Sequence, residues 1–217
     1  MAKGNSPTGE SLKKGSGKNV NIVNETDVWS YRHNPDNAPF VDEINTGVLA
    51  VQDDFKDVME TVYHVNAAEL GGLDKQSTLG YWDPMNKTLA LNQNFTDVDK
   101  MNKVYDESVK SGYHPGRGDK TGTQAVALHE MGHALTDHIA QKMGVASLDD
   151  AAQQIVNAAY KASHATGGTK AWAGKISGYA QESYAECVAE AVADYYCNGN
   201  NASAVSKAIM SQMNKYK

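Results

Sequence analysis

Residues 127–138 read ALHEMGHALTDH, and this stretch holds three of the seven histidines of the chain. His129 and His133 lie four positions apart, and Glu130 follows the first of them. Residues four apart share one face of an α-helix, so the two imidazoles can converge on a single ion. His-Glu-x-x-His on a helix is typical of zinc sites with a carboxylate beside the open coordination position. The stretch therefore predicts a zinc site, and an ordinary helix with two partly exposed histidines is the alternative.

The residues on either side of this motif complete a helix. Thr121 or Thr123 can cap its start and Gly144 can end it, which places the helix at residues 124–143. Its apolar residues recur at helical spacing and are expected to pack against a core. These residues are Val126, Leu128, Leu135, Ile139 and Met143. Gly132 costs a helix about 1 kcal/mol relative to alanine, so its position between the two histidines predicts that another segment packs closely there.

The remainder of the sequence predicts more helices and a small sheet. Apolar spacing and capping residues indicate where the helices lie. Their ranges are residues 40–63, 97–111, 148–163, 181–196 and 202–215. Residues 79–95 have the pattern of a β-hairpin with turn residues at 83–86. The predicted fold class is therefore α+β, mostly helical, with a small antiparallel sheet.

The composition is typical of one globular domain with a tail. Residues 1–19 are rich in glycine, serine and lysine and show no periodicity, which predicts a flexible tail. The chain has 217 residues, of which 41% are hydrophobic and only five are proline. This balance favours a folded chain over a disordered one. Residues 20–217 are therefore predicted to form a single domain.

The net charge, the lengths of the apolar segments and the spacing of the cysteines indicate which partners and which location to expect. A net charge of −6 without a basic stripe argues against a nucleic-acid partner. We find neither the apolar run of a secretory signal nor one long enough to span a membrane, so no membrane partner and a cytoplasmic location are expected. Cys187 and Cys197, if they share a helix, lie about 15 Å apart, too far for a disulfide. Free thiols are therefore expected.

A catalytic zinc takes three protein ligands and keeps a fourth position for water, so a third ligand is needed. The metzincin pattern requires a histidine at position 139, which is Ile139, and His138 lies on a different face. A later helix, within YAQESYAECVAEAVADYY, offers acids at steps of four. These acids are Glu182, Glu186, Glu190 and Asp194. They are either a solvated acidic stripe or the source of the third ligand.

The pair of segments HEMGHALTD and YAQESYAECVAEA resembles the gluzincin metallopeptidases of the anthrax lethal factor type, including the proline-specific endopeptidases related to it. The resemblance covers residues 113–196 and implies a zincin-like metallopeptidase domain. It also implies that Glu186 is the third zinc ligand and that Tyr179, seven positions upstream, faces the substrate carbonyl. Glu190 then stands behind a ligand histidine and accepts its other N–H.

The resemblance implies zinc-dependent hydrolysis of a peptide or protein substrate. Zinc lowers the pKa of a bound water towards about 7, and Glu130 takes the proton of that water. Tyr179 donates a hydrogen bond to the developing oxyanion. Asp137 could orient His133, although an exposed helical aspartate is an equal alternative. Residues 88–95 could form an edge strand that pairs with an extended substrate, the alternative being ordinary sheet structure.

Two other interpretations remain open from the sequence. In the first, Glu190 is the third ligand and Asp194 stands behind it. In the second, the protein is a non-catalytic phage head component, because GYHPGRG followed by the zinc motif also resembles metallopeptidase-like domains encoded in phage and prophage head genes. That interpretation implies virion association and head assembly partners. A structural zinc needs a fourth ligand, for which His114 and His164 are available, but both have loop contexts typical of polar surface.

Overall fold

Helices dominate the part of the chain that the computed structural model describes, which is residues 10–11, 21–24, 38–60, 64–68 and 78–217. The α-helices are α1 (Ala38–Asp54), α2 (Val98–Lys110), α3 (Gly122–Met143), α4 (Leu148–Ala162), α5 (Thr169–Ala173), α6 (Tyr184–Asn198) and α7 (Ala204–Met213). The strands are β1 (Glu10–Ser11), β2 (Asn21–Asn24), β3 (His64–Ala68), β4 (Gly80–Asp83) and β5 (Thr88–Asn92). The chain is therefore a mostly helical α+β protein, as predicted.

The helices begin and end where short polar side chains and glycine predict. Thr121 accepts a hydrogen bond from the backbone N–H of Gln124 at the start of α3, and Gly144 ends that helix in the left-handed conformation, with φ of 68°. Ser183 caps α6 in the same way, by accepting from the N–H of Glu186. The predicted helix at 40–63 is interrupted: α1 stops at Asp54, a 3-10 turn covers Lys56–Glu60, and residues 61–63 lie outside the described chain.

Helix α3 is buried along most of its length and packs against α6. The predicted apolar face is buried from Val126 to Ile139, and Met143 is half-buried at the end. Gly132 lies against α6 so closely that an added Cβ would come within 2.7 Å of the Cα of Ala189. The close packing that Gly132 predicts is therefore confirmed. Since no side chain separates the two helices at this point, their neighbouring polar residues can meet.

The sheet is larger than predicted and mixed rather than antiparallel. The predicted hairpin is confirmed, because β4 pairs antiparallel with β5. Strand β3, however, runs parallel to both β5 and β2, and β1 pairs antiparallel with β2, which gives the order β1-β2-β3-β5-β4. Parallel strands need a long crossover, here provided by α1 between β2 and β3. Such pairing between distant short strands leaves no local signal in the sequence.

The prediction of an edge strand at residues 88–95 is wrong. Residues Thr88–Asn92 form β5, which lies between β3 and β4 and is buried at all five positions. Strand β4 is the outer strand at this end of the described sheet. The carboxylate of Asp83 orders the hairpin turn by accepting hydrogen bonds from the N–H groups of Met85 and Asn86 at 2.9 and 3.0 Å. Any edge available for pairing here is therefore that of β4.

Several predictions concern residues outside the metal site. Cys187 and Cys197 both lie on α6 as buried free thiols, as predicted, and burial raises the pKa of each to about 12. No described helix combines the length and apolar character that crossing a bilayer requires. Most of the predicted tail, residues 1–19, lies outside the described residues, apart from the strand Glu10–Ser11.

We expect Gly132→Ala to destabilise the protein by about 1–3 kcal/mol, because the new methyl group would overlap the backbone of α6. Helix propensity alone predicts the opposite sign, a gain of about 1 kcal/mol. Urea unfolding followed by circular dichroism measures the difference. Gly116→Ala is the control, since a Cβ at that position meets nothing within 4 Å. A Gly132→Ala variant as stable as the original protein would contradict the close packing of α3 on α6.

Candidate metal centre

Helices α3 and α6 bring together the side chains of His129, His133 and Glu186. The Oε2 atom of Glu186 lies 3.1 Å from Nε2 of His129 and 3.3 Å from Nε2 of His133. The three possible ligand atoms lie within 4.8 Å of one another. Among the described residues, this is the group of histidine, cysteine or acidic side chains with the geometry to hold a metal ion. The sequence singled out the same three residues.

The spacing of these three atoms fits a tetrahedral zinc ion. Bonds of about 2.0–2.2 Å from zinc to nitrogen and oxygen place neighbouring ligand atoms about 3.3 Å apart in a tetrahedron. The distances of 3.1 and 3.3 Å match that edge length. The Oε2 atom of Glu186 is buried and accepts no hydrogen bond of normal geometry from the described residues. A buried acceptor in this situation is costly unless a cation satisfies it. The donor set therefore fits zinc.

Glu190 holds His129 from behind, one turn of α6 beyond Glu186. Its Oε1 atom lies 2.8 Å from Nδ1 of His129 and 3.0 Å from Nδ1 of His114, and its Oε2 atom accepts from the hydroxyl of Ser177 at 2.6 Å. Burial alone would raise the pKa of Glu190, but the hydrogen bonds from His114 and His129 outweigh it and lower the pKa to about 2. An ionised carboxylate only accepts, so both Nδ1 atoms donate. Nε2 of His129 is thereby left for a metal.

The carboxylates around His129 favour the protonated form of its imidazole. Burial disfavours the charged form of His129, but contacts with Glu186 and Glu190 and the charge of Glu130 prevail and raise its pKa well above 6.5. Burial likewise opposes ionisation of Glu186, yet the contacts with His129 and His133 lower its pKa overall. A cation between two carboxylates is the result. A metal ion that binds Nε2 of His129 must therefore displace the proton on that atom.

Glu130 lies beside this group in a cavity of about 260 Å³. Glu130 is 5% exposed. Burial raises the pKa of Glu130, while the neighbouring imidazoles of His129 and His133 oppose that rise. Gly80 of β4 covers the carboxylate so closely that an added Cβ would lie 2.9 Å from its Oε1 atom. The buried carboxylate therefore lies between the candidate metal ligands and the outer strand of the sheet.

Tyr179 also lines this cavity. Its ring stacks on that of His129, with centroids 5.7 Å apart and an interplanar angle of 14°. Its backbone N–H donates to the carbonyl of Tyr113 at 3.0 Å, and Gly178 donates to Gly112 at 2.7 Å. Burial and the negative charge of Glu186 raise the pKa of Tyr179. The phenol therefore stays protonated and can donate a hydrogen bond.

Asp137 does not orient His133, which corrects that prediction. Its carboxylate instead pairs with Nζ of Lys87 at 2.5 Å, so the turn of the hairpin is tied to α3. Asp137 lies one helical turn beyond His133, where the lysine of the hairpin turn can reach its carboxylate. A lysine partner 50 positions away in the sequence gives no local signal.

The four acidic residues predicted at steps of four on one helix have different positions and contacts in the structure. Glu182 precedes α6, which begins at Tyr184, so Glu182 is exposed and lies off the helix. Asp194 accepts from the N–H of Ser203 at 2.8 Å and from the hydroxyl of Ser206 at 2.6 Å, and so joins α6 to the start of α7, which Ser203 caps. The alternative with Glu190 as ligand and Asp194 behind it does not match these contacts.

His114 is the residue of this site that the sequence analysis missed. It was expected on the polar surface, but its ring stacks on Tyr105 with centroids 5.4 Å apart, and it lines the cavity. Its loop is positioned by backbone pairing with residues 178–179, which no spacing along the sequence indicates. His164, in contrast, is exposed as expected, with φ of 50° at the end of α4.

Comparison with known proteins adds no assignment: no family model, curated protein or solved structure matches this chain. The likeness to gluzincins therefore stays a prediction from the motif residues.

We expect zinc binding to release about one proton per chain at pH 7, because His129 must lose the proton that its raised pKa retains. Zinc affinity should accordingly fall about tenfold for each unit by which pH drops below that pKa. Titration calorimetry in two buffers of different ionisation enthalpy measures the released proton. A binding enthalpy that is independent of the buffer would contradict a protonated His129 in the metal-free protein.

Replacing a proposed ligand should remove the metal, since two remaining ligands hold zinc poorly. We expect His133→Ala and Glu186→Ala to bind less than a tenth of the zinc bound by the original protein at equal free zinc, on the order of a 10- to 100-fold loss of affinity or more. Elemental analysis after dialysis gives the stoichiometry. Glu182→Ala, which removes an exposed carboxylate near Glu186, is the matched control. Full occupancy in the His133→Ala variant would exclude the site as described.

Proposed function

We propose that this protein is a zinc-dependent endopeptidase of the gluzincin type. His129, His133 and Glu186 hold the ion, and the substrate is a peptide or protein. The observation that carries the proposal is the meeting of the three ligand atoms beside a buried carboxylate, that of Glu130, which lines a cavity together with His129. A structural zinc takes four protein ligands, whereas the described residues supply three, which favours a catalytic ion over a structural one.

Glu130 is the proposed general base. Zinc held by the three ligands would act as a Lewis acid towards a peptide carbonyl and a bound water. Glu130 then accepts a proton from the attacking water and returns it to the leaving amine. The raised pKa of this carboxyl suits both steps, because a proton carrier works best when its pKa lies near the working pH. Its burial beside His129 keeps bulk water from competing for the proton.

Tyr179 and Glu190 have supporting roles in this proposal. Tyr179 is a protonated phenol held next to His129, so it can donate a hydrogen bond to the oxyanion that forms when the carbonyl is attacked. Glu190 accepts the Nδ1 proton of His129 and so keeps the Nε2 atom directed at the ion. Fixed partners of this kind avoid reorganisation during the reaction.

Strand β4 is the proposed docking edge for the substrate backbone. It is the outer strand at its end of the described sheet, and Gly80 places it against Glu130. An extended peptide can add to such an edge through backbone hydrogen bonds. Residues Thr78, Leu79 and Gly80 also line the cavity, so a peptide paired there would pass the metal ligands. This assignment replaces the edge strand predicted at residues 88–95.

We expect Glu130→Gln to fold and to bind zinc like the original protein but to cleave peptides about 10²- to 10⁴-fold more slowly, because general-base assistance is lost. A peptide library digested at matched zinc occupancy and read by mass spectrometry measures the rate. Glu182→Gln, an exposed substitution of the same kind, is the control. Equal cleavage by Glu130→Gln would contradict the hydrolytic role. Tight zinc binding without cleavage of any library member would favour the alternative of a non-catalytic phage head component, with phage head proteins as partners.

A further inference from the structure

His114 lies at the meeting point of the polar and aromatic groups of the candidate site. Its Nδ1 atom donates to the same Oε1 atom of Glu190 that accepts from His129. Its ring lies nearly perpendicular to those of Tyr179 and His129, at 88° and 78°, with centroids 5.4 and 6.2 Å away. One face of the imidazole rests on Tyr105 at an angle of 10°. The side chain of His114 is thereby contacted by Glu190, Tyr105, Tyr179 and His129, although it lies on a loop.

We propose that His114 is a positioning residue, which fixes Glu190 and through it the orientation of His129, and which also holds the ring of Tyr179. The proposal rests on the proposed zinc site at His129, His133 and Glu186. Neither zinc ligation nor proton transfer is assigned to His114 itself. Its part is to keep two other groups in the geometry that zinc binding and oxyanion stabilisation require.

The contact with Glu190 is the first of the two parts. The carboxylate is fully buried and held at three points, by His129 and His114 on one oxygen and by Ser177 on the other. Removing His114 leaves the Oε1 atom with a single donor, so the carboxylate can turn about its bond to the side chain. His129 then loses its fixed partner. Loss of partners behind a ligand histidine weakens metal binding by about 10- to 100-fold in other proteins.

The contact with Tyr179 is the second part. The Tyr179 ring lies between His129 and Tyr113 in a stack, with centroids 5.7 and 4.9 Å away. His114 contacts the rings of both tyrosines from the side. Such a neighbour prevents the phenol from sliding out of the stack, and a displacement of about 1 Å in a catalytic group can cost on the order of 10²-fold in rate. The ring of His114, rather than its N–H, provides this restraint.

Two substitutions separate these parts. His114→Phe keeps a ring but removes the donor to Glu190, whereas His114→Asn keeps a donor near the position of Nδ1 but removes the ring. We expect His114→Phe to weaken zinc binding about tenfold, measured by competition with a chelator. We expect His114→Asn to keep zinc affinity within about threefold and to lower kcat at full zinc occupancy about tenfold or more. His164→Asn, in the exposed turn after α4, is the matched control and should behave like the original protein.

A double-mutant cycle tests whether His114 acts through Glu190. In a Glu190→Gln background, His114→Phe should weaken zinc binding no further, because the carboxylate it positions is gone. Additive losses of zinc affinity, or zinc affinity unchanged by His114→Phe alone, would overturn the inference while leaving the peptidase proposal intact. A wild-type protein that binds no zinc would overturn both. If His114→Phe fails to fold, nitrogen-15 histidine NMR of the wild-type protein replaces it: a slowly exchanging Nδ1 proton on His114 is expected, and a rapidly exchanging one would overturn the inference.

Discussion

The close approach of α3 and α6 at Gly132 is the constraint on which the rest of the site depends. The backbone of Ala189 occupies the space where a side chain at position 132 would stand. Helices normally pack with their axes 8–10 Å apart, and small residues at the contact allow the shorter of these distances. The two histidines on either side of Gly132 thereby reach the two glutamates on either side of Ala189. A bulkier contact would separate the imidazoles from the carboxylates even if every polar residue were kept.

A second property of the site is that its charges are balanced inside the protein. The ionised carboxylate of Glu190 is buried and that of Glu186 is half-buried, yet each faces imidazole nitrogens, and Glu190 also has the hydroxyl of Ser177. Isolated charges in such a place would be very costly, whereas charges that meet fixed donors are tolerated. A divalent ion has the same sign as the proton it would displace. The metal-free and metal-bound forms can therefore share one arrangement of side chains.

Local signals explain most of what the sequence predicted correctly. The caps at Thr121 and Gly144 act within a few residues, so the limits of α3 could be found from the sequence alone. The start of α6 was predicted at residue 181, whereas Ser183 caps it. The group of His129, His133 and Glu186 also follows from helical spacing on two segments, once the likeness to gluzincins selects Glu186 among its neighbours. The strand β3 was not predicted, because its parallel pairing joins segments that are distant in the sequence. The roles of His114 and Asp137 were misjudged for the same reason: their partners, Glu190 and Lys87, lie 50 or more positions away.

The contact between Gly80 and Glu130 constrains how the sequence of this protein can evolve. Any side chain on Gly80 would meet Glu130 and Val126 at 2.9 Å, so the hairpin and the helix cannot vary independently at these positions. A substitution of Gly80 requires a compensating substitution at Glu130, or the strand must move away from the carboxylate. In diverging copies of this chain, a glycine in the first strand of the hairpin should therefore be inherited together with the His-Glu pair of the helix. Copies that have lost the glutamate would still need a change at Val126 before the glycine could be replaced.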